Sequence, residues 1–231
     1  MTIISTNLQA VLTRIEAAAR IHGRTPGAVG LLAVSKTWPA SCVREAAAAG
    51  QKAFGENYVQ EGIDKIREVA RPDLAWHFIG PLQGNKTRQV AETFAWAHSV
   101  DRFRIAERLS RQRPETLPPL QVCLQVNISG EDSKSGVAPQ DALALARRVA
   151  LLPRIVLRGL MAIPAPVPAG DFAGQRKPFC RLRLLFEQML REGLALDTLS
   201  MGMSSDIEAA IAEGATLVRV GTAIFGERNR S

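Results

Sequence analysis

LLAVSKTWPA, residues 31–40, sets four apolar residues, Leu31 to Val34, ahead of Ser35-Lys36 and a helical stretch beyond Pro39. Such a run reads as a buried strand whose polar tip leads into a helix. The same unit recurs along the chain. Short apolar runs fall at 29–35, 51–55, 75–80, 95–100, 120–126, 155–163, 196–201 and 216–221. Helical patterns lie between them at 40–49, 57–70, 84–92, 102–112, 139–151, 177–192 and 205–213. An amphipathic helix over 7–19 comes first, with Leu8, Val11, Leu12, Ile15 and Ala19 on one face. The apolar runs, LQVCLQV at 120–126 among them, are nearly continuous rather than alternating, which suits parallel strands covered on both sides. Eight strands separated by seven helices predict an α/β fold, a (β/α)8 TIM barrel forming a single domain over residues 1–231. A doubly wound open sheet is the alternative, but no GxGxxG fingerprint follows any run. The Pro-rich segment MAIPAPVPAGDFAGQRKP, 161–178, reads as a long loop after strand six.

Composition narrows the function classes. The chain of 231 residues is 46% apolar and carries a net charge of +7. Its basic residues are dispersed, and the densest group, Arg102, Arg104, Arg108, Arg111 and Arg113, reads as a solvated helix face. With Tyr58 the single tyrosine and few aromatics near basic residues, stacking on nucleic-acid bases has little support. Cys42, Cys123 and Cys180 form no CxxC pair and no metal-ligand spacing with His22, His77 or His98. No signal peptide is evident at the N-terminus and no apolar run has the length of a membrane helix. The expectation is a cytoplasmic protein without a metal, a nucleic-acid partner or a membrane partner.

In a barrel of this kind chemistry gathers at the C-terminal ends of the strands. Polar residues stand at most of these ends. Lys36 shares the parity of Leu32 and Val34, so it can point inward. In SMGMSSDIEAAIAEGA, Ser205 and Glu208 fit a capping box and Gly214 ends the helix. A helix start there offers free N–H groups to an anion. Gly221-Thr222 ends the last run, where backbone can approach a ligand closely. Arg219 shares the parity of Leu217 and Gly221 and should point into the barrel mouth, its partner being either a carboxylate such as Glu56 or Asp101 or a ligand atom. An amine in a cationic, partly dry pocket is a nucleophile toward carbonyls. A carbonyl compound bearing a phosphate would suit amine and anion site together: an aldolase-type sugar phosphate or pyridoxal 5'-phosphate (PLP).

The segments AVSKTWP, FGENYVQEG, WHFIGPLQGNK, SVDR, VNISGEDSKSGV, RGLMAIP, LSMGMSSDIEAAI and VRVGTAIFGER resemble, in order, the motifs of the pyridoxal phosphate homeostasis protein family, once called proline synthase co-transcribed proteins. The likeness runs from about residue 8 to residue 228. It implies the barrel of alanine racemase without that enzyme's C-terminal β-domain. It implies that Lys36 holds PLP as an internal aldimine, that Asn57 lies beside the ring, and that Ser204, Ser205, Gly221 and Thr222 hold the phosphate. Arg219 would sit against the pyridine nitrogen, with His77 and Met203 in the pocket wall. Lys134 belongs to a family motif without an assigned role. A racemase also needs an acid/base opposite its lysine, supplied in alanine racemase by a tyrosine of the partner's β-domain; here the single tyrosine is Tyr58 and the sequence stops at Ser231. The implied function is therefore PLP binding for intracellular PLP homeostasis, buffering or delivering the cofactor to PLP-dependent apoenzymes, as a monomer and without efficient catalysis. The alternative is a PLP-dependent amino-acid racemase using Lys36.

Overall fold

Eight parallel strands close into a barrel in a computed structural model that describes residues 2–131, 134–168 and 170–227. The strands are β1 (Gly30–Val34), β2 (Ala53–Glu56), β3 (Ala75–Phe78), β4 (Trp96–Val100), β5 (Leu120–Gln125), β6 (Ile155–Met161), β7 (Thr198–Ser200) and β8 (Leu217–Val220), each hydrogen-bonded to the next. Closure comes from β1 pairing with β8, where Leu32 lies beside Arg219 and Ala33 beside Val220. The expected (β/α)8 architecture is present, and the open-sheet alternative is excluded by that pairing.

Helices alternate with the strands: α1 (Ile3–Ile21), α2 (Ala40–Ala48), α3 (Val59–Val69), α4 (Thr87–Thr93), α5 (Phe103–Gln112), α6 (Pro139–Val149), α7 (Phe172–Arg191), α8 (Ile207–Ala212) and α9 (Thr222–Phe225). Thr2 caps α1 by accepting from the Ser5 amide, and Ile4, Leu8, Val11, Ile15 and Ala18 form its buried stripe at helical spacing. Two details depart from the sequence reading. The segment after β6 is loop only as far as Asp171, which caps α7 by accepting from the Gly174 amide at 2.8 Å. Pro178 lies inside that helix. Proline forfeits one intrahelical bond, and the buried series Phe179, Leu182, Phe186 and Met189 outweighs the loss. The short α9 after β8 adds a helix that hydrophobic periodicity is too short to show.

Side-chain parity divides the barrel into an apolar shell and a polar interior. Phe54, Trp76, Phe78, Ala97, Val218 and Val220 join helix residues such as Val43, Ile63 and Leu109 in one apolar cluster between strands and helices. Burial of this cluster, at about 25 cal/mol per Å² of apolar surface, is the main stabilising term. The residues of opposite parity include His77, His98, Ser200 and Arg219, all buried. They bond to one another across the barrel, and that chain is the floor of the site.

Candidate functional site

The C-terminal ends of the strands open on one face, and the amine sits at the end of β1. Lys36 lies two residues beyond Val34, half-buried, in a turn closed by the Trp38 amide donating to the Ser35 carbonyl at 3.0 Å. The base of that turn is dry. Ser35 Oγ donates to Glu56 Oε1 at 2.6 Å, and Lys65 Nζ donates to Glu56 Oε1 at 2.8 Å and to the Ser35 carbonyl at 2.6 Å. Burial pushes the Glu56 carboxyl up, and the Lys65 charge works against that shift.

Asn57 follows β2, and its Oδ1 is buried with no partner among the described residues. A buried amide oxygen left unpaired is costly, so this atom fits a donor that the protein does not itself supply. The backbone of Asn57 lies directly over Gly80, where a Cβ would stand 2.0 Å from the Asn57 carbonyl oxygen. That contact gives the glycine of WHFIGPLQ a steric reason. Asn57 also lines a cavity of about 300 Å³ with Ile79, Gln125, Asn127 and Lys134. Lys134 is ion-paired with Glu131 at 2.9 Å there. Tyr58 occupies the residue before α3 and is exposed.

The barrel floor is a hydrogen-bonded series. His77 Nδ1 lies 2.9 Å from His98 Nε2, and His98 Nδ1 lies 2.9 Å from Ser200 Oγ. Ser200 Oγ accepts from Arg219 Nη1 at 2.8 Å. The guanidinium also donates to the Ser200 carbonyl at 2.5 Å and to the Ala162 carbonyl at 2.8 Å. Its hydrogen-bond partners are thus neutral, not the carboxylates the sequence suggested: Glu56 is taken by Ser35 and Lys65, and Asp101 by Arg102 at 2.7 Å. Burial lowers Arg219 to about 10, which leaves it charged at neutral pH. His77, stacked on Trp96 with ring centroids 5.0 Å apart, is pushed down to about 3 by burial. His98 is held well below its ordinary value by burial and by His77 and Arg219.

Both histidines are therefore neutral in the fold and bind protons once it opens. Their stabilising effect is full above the unfolded value near 6.5 and is lost as the pH falls from there toward the folded values. Urea unfolding should show stability dropping between pH 7 and pH 5 by about 2 kcal/mol for each histidine. A profile that stays level over that span rules out the neutral pair.

The loops after β7 and β8 complete the mouth. Gly202 adopts φ +93°, and a Cβ there would meet that of Ala210 at 2.5 Å. Met203 donates its amide to Asp206 Oδ1 at 2.6 Å, folding residues 203–206 into a tight turn. Met203 and Ser205 line a cavity of about 110 Å³ against Pro164, Pro166 and Phe179. The expected capping box is absent. Asp206, not Ser205, precedes α8, and Glu208 turns to Arg14 on α1. Arg14 bonds both Glu208 oxygens, at 2.5 and 2.6 Å, and donates to the Ser204 carbonyl at 2.8 Å. A cation thus braces the loop that the sequence reading marked for an anion. Gly221 is held close to β1, where a Cβ would lie 3.0 Å from the Val34 carbonyl oxygen. Thr222 then opens α9, whose first amides have no partners within the helix.

Lys36, Arg219, Gly221 and Thr222 are brought together by the adjacent strands β1 and β8, with Ser204 and Ser205 after neighbouring β7. Asn57 stands at the end of β2 on the other side of β1, and His77 lies deeper, in the floor. Met203 belongs to the turn beside the Pro-rich loop. Sequence reasoning missed Arg14, Lys65, His98 and Ser200. Of these, His98 and Ser200 were accessible to the parity argument used for Arg219. Arg14 carried no local signal, since its Ser204 contact spans 190 residues.

Comparison with known proteins agrees with this fold. Residues 6–229 match the model of the alanine racemase N-terminal domain. A Pseudomonas aeruginosa protein named pyridoxal phosphate homeostasis protein is 60% identical over 229 residues, covering 99% of this chain and 97% of the relative. The crystal structure of an unknown protein from Bifidobacterium adolescentis superposes with TM-score 0.90 at 38% identity, covering 96% of this chain and 94% of that one. PipY of Synechococcus elongatus, solved with PLP bound, gives TM-score 0.79 at 42% identity over 92% of this chain and 100% of its own. Barrel, motif order and relatives agree: the chain belongs to the pyridoxal phosphate homeostasis protein family, built on the alanine racemase N-terminal barrel.

Proposed function

We propose that this protein binds PLP as a lysine aldimine at Lys36 and serves intracellular PLP homeostasis, holding and delivering the cofactor with little turnover of its own. One observation carries the reading: the β1–β8 pairing sets the end of β1, from which Lys36 follows, beside the end of β8 at Gly221 and Thr222. A phosphate and an aldehyde on one small molecule match those two features. When bound, PLP supplies a carbonyl that condenses with an amine and a ring that accepts electron density.

The residues present fit that group. Ser204 and Ser205 offer hydroxyls, and Gly221 and Thr222 offer amides, to the phosphate. The unpaired Asn57 Oδ1 would offer the cofactor an acceptor. Arg219 has three donor bonds committed to Ser200 and Ala162, which fixes its plane, and it would present its charge to the ring nitrogen. A cation there disfavours a proton on that nitrogen, so the ring is a weaker electron sink. Proton handling is equally limited. His77 and His98 are neutral and engaged, and Tyr58 is exposed at the edge of α3. No second base thus stands opposite Lys36 among these candidates. The free thiols Cys42, Cys123 and Cys180 support a reducing, cytoplasmic setting.

The test is spectroscopic. Purified apoprotein mixed with PLP should develop a stable visible band, and the loaded protein should pass PLP to an apoenzyme in excess. Holoprotein kept with amino acids in deuterated water should show no rapid exchange of the α-proton. Rapid exchange with turnover would overturn the carrier reading in favour of a racemase.

A further inference from the structure

We propose that Glu61, on α3, is a positioning residue for Lys36: its carboxylate fastens the Thr37 amide and so sets the direction in which Lys36 leaves its turn. The inference deepens the reading of Lys36 given above, and its test separates the two.

Thr37 carries φ +68°, in the left-handed region that a β-branched residue rarely adopts. Two other non-glycine residues among those described have positive φ. Ala70 closes α3 and Arg154 precedes β6, both ordinary places for a chain reversal. Thr37 instead stands at the barrel mouth, directly after the amine-bearing residue. A strained conformation persists where its surroundings hold it. Here the holding group is Glu61 Oε1, which accepts from the Thr37 amide and from Lys65 Nζ.

The same network grips the other side of Lys36. Lys65 donates to the Ser35 carbonyl at 2.6 Å, and the Ser35 hydroxyl is bound to Glu56. The peptide groups flanking Lys36 are thus both tied to α3, the Thr37 amide through Glu61 and the Ser35 carbonyl through Lys65. The Lys65 and Glu56 side chains are 7% and 0% exposed, so water does not readily replace their bonds, whereas the Glu61–Thr37 bond lies at the exposed rim, with the Glu61 side chain 25% exposed. Glu61 bonds the Thr37 amide directly and also accepts from Lys65, which in turn holds the Ser35 carbonyl. Its direct hold on the Lys36 turn is through Thr37, and a change at Thr37 distinguishes that hold from simple adhesion between α3 and the barrel.

That distinction makes the test sharp, because glycine adopts positive φ without strain. In the full chain, Glu61→Ala should slow the appearance of the visible band with PLP by about tenfold or more, since small misplacement of a reacting group is costly. Glu61→Gln, which keeps an oxygen acceptor, should lose less. Thr37→Gly alone should stay within about twofold of wild type, and Thr37→Gly added to Glu61→Ala should restore most of the rate. A readout without cofactor runs in parallel: the carbon-13 shift and titration of reductively methylated Lys36 should move in Glu61→Ala and return in the double variant. The proposal is overturned if Glu61→Ala matches wild type in both readouts. It is equally overturned if Thr37→Gly fails to rescue a Glu61→Ala protein whose melting temperature is normal. Should Glu61→Ala fail to fold, Glu61→Gln with and without Thr37→Gly decides by the same criteria. Should wild type give no band with PLP, the cofactor reading fails, and the methyl signals alone judge the positioning role.

Discussion

Lys36→Ala should abolish the visible band formed with PLP while leaving the barrel folded. The amine is the group that would join the cofactor aldehyde, and alanine offers no nucleophile in its place. The turn itself should survive. Its fixed points are the Ser35 hydroxyl and carbonyl and the Thr37 amide, none of which belongs to the Lys36 side chain. Half-buried and outside the apolar cluster, Lys36 should contribute no more than about 1 kcal/mol to stability, so thermal unfolding should stay close to that of wild type. Residual binding should be weak and freely reversible, held by the loops after β7 and β8 if these take the phosphate as proposed. A band of normal intensity in Lys36→Ala would move the linkage to another lysine, with Lys134 on the neighbouring cavity the first to examine.

Arg219→Glu should have the largest effect on the molecule as a whole. The guanidinium donates to two carbonyls and a hydroxyl from a fully buried position. Glutamate would turn acceptors toward acceptors and bury an uncompensated charge, at a cost of about 3–5 kcal/mol. Arg219→Lys keeps the charge but cannot span the Ser200 and Ala162 carbonyls as a planar fork does, so it should lose about 1–3 kcal/mol. With PLP bound, the two variants should also separate by spectrum. A carboxylate beside the ring nitrogen favours its protonation, and a lysine does not. Chemical denaturation measures the first effect and visible absorption across pH the second. Equal spectra for wild type and Arg219→Glu would remove Arg219 from the cofactor's surroundings.

The two predictions draw on different kinds of information. Lys36 was legible as a polar residue ending an apolar run, and Arg219 as a charge of inward parity on the last strand. The mates of Arg219 were not legible. A buried guanidinium suggests a carboxylate, yet Ser200 and Ala162 supply neutral oxygens from β7 and the end of β6. The choice follows from strand register, which places Met161 beside Ser200 and Ser200 beside Leu217. No periodicity within a segment reveals the register between segments. Ser205 failed in a related way. SSDIE fits a capping box by local spacing, but Glu208 finds a cation on α1 instead, and Asp206 takes the place before the helix. The Pro-rich stretch misled through composition, since the helix begins at Phe172 rather than at residue 177, where its periodicity becomes visible.

By itself the sequence determined the alternation of buried strands and amphipathic helices, hence the barrel, and the polar residues at the strand ends. Those are local properties, written in hydrophobic spacing that each segment carries alone. The tertiary structure alone decided how the site is held: the His77–His98–Ser200–Arg219 floor, Arg14 behind Ser204, and Glu61 with Lys65 beneath the Lys36 turn. Each joins elements distant in sequence. Burial is what makes the bonds of the floor strong, because a polar group sealed from water must find its partner in whichever element the fold brings beside it.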